Sequence, residues 1–324
     1  MKNRFVILLV AILSTVQVAL AESSPNEVDP YGAPVVMWTG PNKGKVLDTS
    51  IRRSLVILKG DAAAIAHPEP GDTVVANFFS EGKFWIAKIP PDAVQDVIVQ
   101  MEHFPALVPA GHIQGRFILK PGKEIELFPQ VGTDEPKTKK LSDITSSNEA
   151  VTVPPEKFDV IKGLMKHFGL ALRLVNTADR YRDMVTRQHH LVEQFKLNIT
   201  PEEKQAMLIR TIQLSHESGM KRLYNTILRS CSSVWFHEIM DQSIHYPWNR
   251  KLAEVLGMLP TVAKFYLQAR GILDAGTVLP DFKTEREGYL TPESSEEAKA
   301  AKGNAESTCS PSEKKCMDTF TPTH

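Results

Sequence analysis

Three short apolar runs bounded by glycine dominate the first third of the chain: Ser54 to Lys59 (SLVILK), Thr73 to Phe79 (TVVANFF) and Phe84 to Ile89 (FWIAKI), set off by Gly60, Gly71 and Gly82. Runs this short, rich in branched and aromatic residues and punctuated by turn formers, read as strands, and Glu81-Gly82 suits a hairpin turn. Pro90-Pro91-Asp92 reads as the start of a helix reaching about His103. His112 to Leu119 and Glu124 to Phe128 read as two further strands folded as a hairpin about Pro121-Gly122. The first half is therefore mixed, with a mainly antiparallel sheet.

After Pro154-Pro155 the apolar period turns helical. Ile161, Leu164, Met165, Phe168 and Leu172 recur at threes and fours, which predicts a helical insertion over about 154–200. Thr200-Pro201-Glu202-Glu203 is a capping box with proline at the first helical position, so a helix begins there and carries Met207, Leu208, Ile212 and Leu214. Another helix is expected from about Ser230 to Ile244, and one more, broken near Gly257 and Pro260, ends by Gly271. Residues 22–50, with Pro25, Pro30, Pro34 and Pro41, form an extended lead-in to a single α+β domain over 51–282. Residues 283–324 have almost no apolar periodicity and are expected to be disordered.

The first 21 residues read as an address. Lys2 and Arg4 precede the apolar stretch Phe5 to Val18, and Ala19-Leu20-Ala21 supplies the small-residue cleavage site, so the mature chain is expected to begin at Glu22. A span needs about 20 apolar residues, and no later segment offers them, so no transmembrane segment is expected in the mature chain. The expected location is the periplasm or the medium. Without Lys2 and Arg4, 38 basic residues against 38 acidic become 36 against 38. That balance argues against nucleic acid, which a clustered basic face usually meets.

Export also sorts the three cysteines. Cys309 and Cys316 lie close together in the polar tail and are expected to pair in an oxidising compartment. Cys231 is left over, and the count does not choose among a buried inert thiol, a link to another chain and a retained nucleophile. Its setting, Arg229-Ser230-Cys231-Ser232-Ser233, places Ser230 as a helix N-cap and Cys231 in the first turn, where unpaired N–H groups and the helix dipole favour a thiolate.

A thiolate nucleophile needs a base. Among ten histidines His112 is best placed, because Ala110-Gly111-His112 opens a strand after a proline-rich loop and Gly111 leaves room for a ligand; His103 is next. His189 and His190, beside Arg187 and Glu193, read as a solvated helix face, and His216 and His324 belong to no constellation. His237, Asp241 and His245 share one face of the Cys231 helix at metal-ligand spacing, but Glu238 stands without the rest of a zincin pattern, so neither metal nor cofactor is expected.

His112 followed by Arg116-Phe117, the Thr200-Pro201-Glu202-Glu203 helix start, Tyr224-Asn225 ahead of Cys231, and Leu259-Pro260 ahead of Leu267 and Gly271 together resemble the periplasmic domain of bacterial lipoprotein N-acyltransferases. That domain is related to the permuted NlpC/P60 group of papain-like thiol enzymes, and the resemblance covers roughly residues 100–275. It implies a permuted papain-like fold with the histidine on an early strand and the cysteine at a later helix start. It implies a Cys231–His112 acyltransferase or hydrolase, an amidase or peptidase in the wider group, acting on lipid, lipoprotein or peptidoglycan peptide, with Ser230, Ser232, Arg116 and Tyr224 around the substrate. The family usually has Asn before the cysteine and Thr after it, where this chain has Ser230 and Ser232. Folding the expected hairpin about Pro121-Gly122 makes Gln130 the candidate to orient the His112 ring, with Glu126 the weaker one. The rival expectation is a catalytically inactive envelope protein that binds a lipid or peptide in the same cleft.

Overall fold

The computed structural model describes residues 29–104, 111–131, 139–245, 260–273 and 279–288. The expected leader and cleavage site, Cys309, Cys316, His324 and most of the polar tail lie outside these residues.

In chain order the elements are β1 (Val56–Leu58), α1 (Asp61–Ala64), β2 (Thr73–Ser80), β3 (Lys83–Ile89), β4 (Val94–His103), β5 (Gly111–Leu119), β6 (Ile125–Pro129), β7 (Lys139–Leu141) and β8 (Asp143–Val151). Then come α2 (Val160–Leu164), β9 (Gly169–Asn176), α3 (Thr177–Tyr181, continued as a π-helix over Arg182–Arg187), β10 (Val192–Lys196) and α4 (Pro201–Ser218). Helix α5 begins as Cys231–Ser233, is π-helical over Val234–Met240 and ends as Asp241–Ser243; α6 (Ala263–Ala269) and α7 (Phe282–Gly288) follow. The strands form one sheet in the order β10-β4-β5-β8-β9-β2-β3-β6-β7, with β1 beside β2. Its pairings are antiparallel except for the single parallel contact of β2 with β9. The architecture is α+β, with a large, mostly antiparallel sheet and few helices.

Glu81 and Gly82, both at positive φ, make the β2–β3 turn. The capping box at α4 is formed: Glu203 N donates to Thr200 Oγ1 at 3.2 Å and Thr200 N to Glu203 Oε2 at 2.9 Å. Helices α4 and α5 cover one face of the sheet, where Phe117, Leu127 and Leu172 pack with Met207, Ile212 and Trp235.

Four expectations are corrected. The segment after Pro90-Pro91-Asp92 is strand β4, not a helix. Val94, Val97, Ile98 and Met101 happen to fall at helical spacing, but β4 is buried on both faces and so lacks the alternation of a half-buried strand. In place of a helical insertion over 154–200, the chain contributes β9 to the middle of the sheet and β10 to its edge; every residue of β9 is buried, which gives its apolar residues no period of two. Strands β5 and β6 flank the Pro121-Gly122 turn without pairing: β5 lies between β4 and β8, whereas β6 lies between β3 and β7. Finally, the start of the supposed disordered tail forms α7, anchored by the fully buried Phe282.

Strand β5 positions the site. Ile113, Gly115 and Phe117 face the helices, and His112, Gln114 and Arg116 project from the other side, as the two-residue period of a strand requires. That second face is polar and buried. Gln114 donates to Gln100 at 2.7 Å and Gln100 to Gln194 at 2.8 Å, carrying a row of amides across β5, β4 and β10.

Candidate active site

Helix α5 starts on Ser230. The Ser230 hydroxyl accepts from the Ser233 amide, and the Ser233 hydroxyl accepts from the Ser230 amide at 2.8 Å, so two orphan donors are satisfied and Cys231 takes the first helical position. Trp235, one turn later, lies directly on β5: a Cβ at Gly115 would stand 2.3 Å from the indole nitrogen, so only glycine lets the helix approach this closely. The β5–β8 ladder runs from Ile118↔Asp143 to Gln114↔Ser147 and stops short of His112. Where it stops, the Ile113 amide hydrogen-bonds to the Cys231 sulfur, as does the amide of Ser232.

The His112 ring hydrogen-bonds to the same sulfur. Its Nε2 lies 2.9 Å from Ser147 Oγ, and Ser147 Oγ donates to Glu149 Oε1 at 2.9 Å. Because Ser147 directs its own proton to Glu149, it accepts from Nε2–H, which leaves Nδ1 for the thiol. Glu149 is held in turn by Arg173 Nη1 at 2.9 Å, by Arg52 Nε, and by Arg180 Nη1 at 3.4 Å. Sulfur, imidazole, hydroxyl, carboxylate and guanidinium groups thus form one continuous chain.

The electrostatics follow this order. Burial opposes the Cys231 thiolate but is outweighed by the charge of His112, its hydrogen bond and the two amides, so the thiol ionises below its ordinary range. Burial likewise opposes the imidazolium, and the thiolate with its hydrogen bond outweighs it; Arg180 works against the imidazolium and Glu102 for it, and the His112 pKa is raised. Burial would favour a neutral Glu149, yet Arg173, Arg180, Arg52 and His112 hold it well below the usual carboxylate range. The arrangement favours a thiolate–imidazolium pair beside an ionised carboxylate.

The other sequence candidates are distributed differently. Gln130 is not near His112. Its side chain accepts from the Asn77 amide at 2.6 Å and donates to Asn77 Oδ1 and Asp29, tying β2 to the lead-in, because β6 pairs with β3 rather than β5. Glu126 forms ion pairs with Lys88 and Lys140. Arg116 lies four residues along β5 and is closed off by Asp143, Glu285 and Gln194. Tyr224 is buried next to the sulfur: burial and the thiolate both raise its pKa. Ser230 and Ser232 are buried at the helix start, with their hydroxyls 3.1 Å apart. The room expected at Gly111 for a ligand is taken by the Glu102 carbonyl, which a Cβ there would meet at 2.7 Å.

His103 pairs with Glu193 on β10 at 2.9 Å. His190 belongs to no solvated helix face, since its Nδ1 meets the buried Glu102 at 2.7 Å. Asp241 lies 3.2 Å from His237 but also accepts from Tyr266 and Arg270, and among the described residues no cluster has the makings of a metal site.

Sequence reasoning missed Ser147 and Glu149. The signal that marks them is the run Thr145-Ser146-Ser147-Asn148-Glu149, five consecutive polar residues in a buried strand. Among the described residues, no helix is long and apolar enough to cross a membrane.

No curated protein and no solved structure matches the chain. Residues 117–245 match the family model described as the Lnb N-terminal periplasmic domain, a span that includes Ser147, Glu149 and Cys231 and begins just beyond His112. That stretch is similar to the Lnb N-terminal periplasmic domain, the periplasmic domain whose motifs the sequence resembles.

Proposed function

We propose that this envelope protein is an exported thiol enzyme that transfers or hydrolyses acyl groups through Cys231. The observation that carries the reading is that the His112 ring, held by Ser147 and Glu149, meets the Cys231 sulfur at the start of α5. The thiolate attacks an ester or amide carbonyl and forms a thioester, and His112 passes the Nδ1 proton to the leaving alcohol or amine. An incoming amine or water then gives its proton to His112 and takes the acyl group. The Cys231 amide, at the first helical position, is the donor available to the developing oxyanion, while the Ser232 amide serves the sulfur. Ser147 and Glu149 hold the ring in its tautomer, the orienting part first assigned to Gln130. A histidine from an earlier strand and a cysteine from a later helix start fit a permuted papain-like arrangement. The family match favours lipid or lipoprotein as substrate over peptidoglycan peptide.

The second reading is an inactive protein that binds a lipid or peptide, favoured by the burial of Cys231, which is only 5% exposed. Iodoacetamide labelling at graded pH, followed by mass spectrometry of the protein incubated with phospholipid or acylated peptide, separates the two. Labelling well below the ordinary thiol pKa of about 8.5, with an acyl mass on the Cys231 peptide, supports the enzyme. A thiol that neither labels nor acquires an acyl group supports the binder. Export is part of the proposal: intact mass should place the mature N-terminus at Glu22, and non-reducing peptide mapping should find Cys309 joined to Cys316.

A further inference from the structure

The segment leading to Cys231 carries an apolar face that the catalytic reading leaves unused. Phe158, Ile161 and Met165, on α2 and its approaches, are exposed, and so are Ile227 and Leu228, the latter 68% exposed. These two strips form one surface: Thr226 Oγ1 donates to the Val160 carbonyl at 3.0 Å, Asn225 Nδ2 donates to the Leu164 carbonyl at 2.9 Å, and Phe158 packs edge-on against Tyr224. Trp38, 64% exposed, borders the surface through its indole bond to the Lys221 carbonyl at 2.6 Å. Cations frame the apolar tips. Lys157, Lys166, Lys221 and Arg229 are exposed around them, and the exposed acid of the same segment, Asp159, is engaged as the N-cap of α2.

We propose that this face docks on the surface of an anionic lipid bilayer. Apolar tips interleaved with lysines, with a tryptophan at the border, match an interface where hydrocarbon lies beneath negative headgroups. The positive frame supplies the charge complementarity that selects lipid over a second copy of the chain, which would bring like charges together. Arg229 lies two residues before Cys231, so docking would bring the start of α5 to the bilayer. The inference stands on the surface alone and holds whether or not the thiol turns over.

Co-sedimentation with phosphatidylglycerol/phosphatidylethanolamine vesicles tests it, comparing wild-type protein with Ile161→Asp/Leu228→Asp in chains otherwise identical, so that any contribution of the N-terminal apolar stretch cancels. Replacing two apolar tips by carboxylates removes their burial and adds repulsion from the headgroups, so binding should weaken at least tenfold, and neutral phosphatidylcholine vesicles should bind more weakly than anionic ones. The exposed positions leave folding intact, which an unchanged thermal midpoint verifies. Equal pelleting of wild type and variant, or none by either at low salt, would overturn the proposal. A wild-type dimer that the variant dissolves, without vesicle binding, would overturn it too and assign the face to a second copy.

Discussion

Strand β5 carries two ionisable groups four residues apart, the buried Arg116 and the half-buried His112, and they are finished in opposite ways. At the Arg116 end, a guanidinium meets two carboxylates, Asp143 at 2.8 Å and Glu285 at 2.7 Å, and a side-chain amide, under the cover of α7. Burial pulls against its charge, and the two carboxylates more than restore it. At the His112 end, the ring is fixed on one side by Ser147 and Glu149, and its other side faces a thiol. Both ends are desolvated and both are paired. The difference is the partner: carboxylates close a structural lock, whereas a thiol beside an imidazole is the pair that the proposed function uses as nucleophile and proton donor.

The largest expected effect comes from breaking the lock. Arg116→Ala would leave Asp143 and Glu285 facing each other across the lost cation and should cost about 3–5 kcal/mol, read as a lower denaturant midpoint. The variant should keep the low thiol pKa. If its stability were unchanged, the two ends would not differ in the way described.

Glu149→Gln probes where the two ends share logic. It removes the anion that balances Arg173, Arg52 and Arg180, so a loss of roughly 2–4 kcal/mol is expected, within the range for an uncompensated buried charge. The pH dependence has a definite sign. Because the folded-state pKa of Glu149 is depressed, its contribution is full above the unfolded value of about 4.3 and disappears as pH falls through the lower folded value. Acid titration of stability should therefore be steeper in wild type than in the variant.

How much of this was legible beforehand follows from burial. The glycine-bounded strands, the α4 capping box and the Ser230 cap are local devices, and the structure contains them where the residues stand. Strands β4 and β9 were not legible, because burial on both faces erases the alternation that marks a strand. The partner of His112 failed for another reason. Choosing Gln130 required the pairing of β5, which is a long-range choice of β8 over its neighbour in sequence, β6. Once β8 is known, the register sets Ser147 opposite Gln114, one diagonal step from His112.

Ser147→Ala is the finer test of the His112 end. With the ring no longer held, turnover should fall about tenfold, equivalent to roughly 1.4 kcal/mol, while Cys231→Ser should abolish labelling and turnover with a stability change within about 1 kcal/mol. Denaturant unfolding and rate measurements on the same preparations separate the two quantities. A Ser147→Ala variant with wild-type turnover would remove Ser147 and Glu149 from the mechanism.

The central claim is that His112 keeps Cys231 as a thiolate, and the most direct measurement is the ultraviolet absorbance of the thiolate followed against pH, with Cys231→Ser as the blank. The wild-type protein should show thiolate well below the ordinary thiol value of about 8.5. The signal should be lost as pH falls through the lowered Cys231 pKa, and the imidazolium partner should persist until the raised His112 pKa is passed. In His112→Ala, burial should act unopposed by the imidazolium and move the thiol to the ordinary range or above. A wild-type thiol that titrates at or above the ordinary value, unchanged by His112→Ala, would contradict the account.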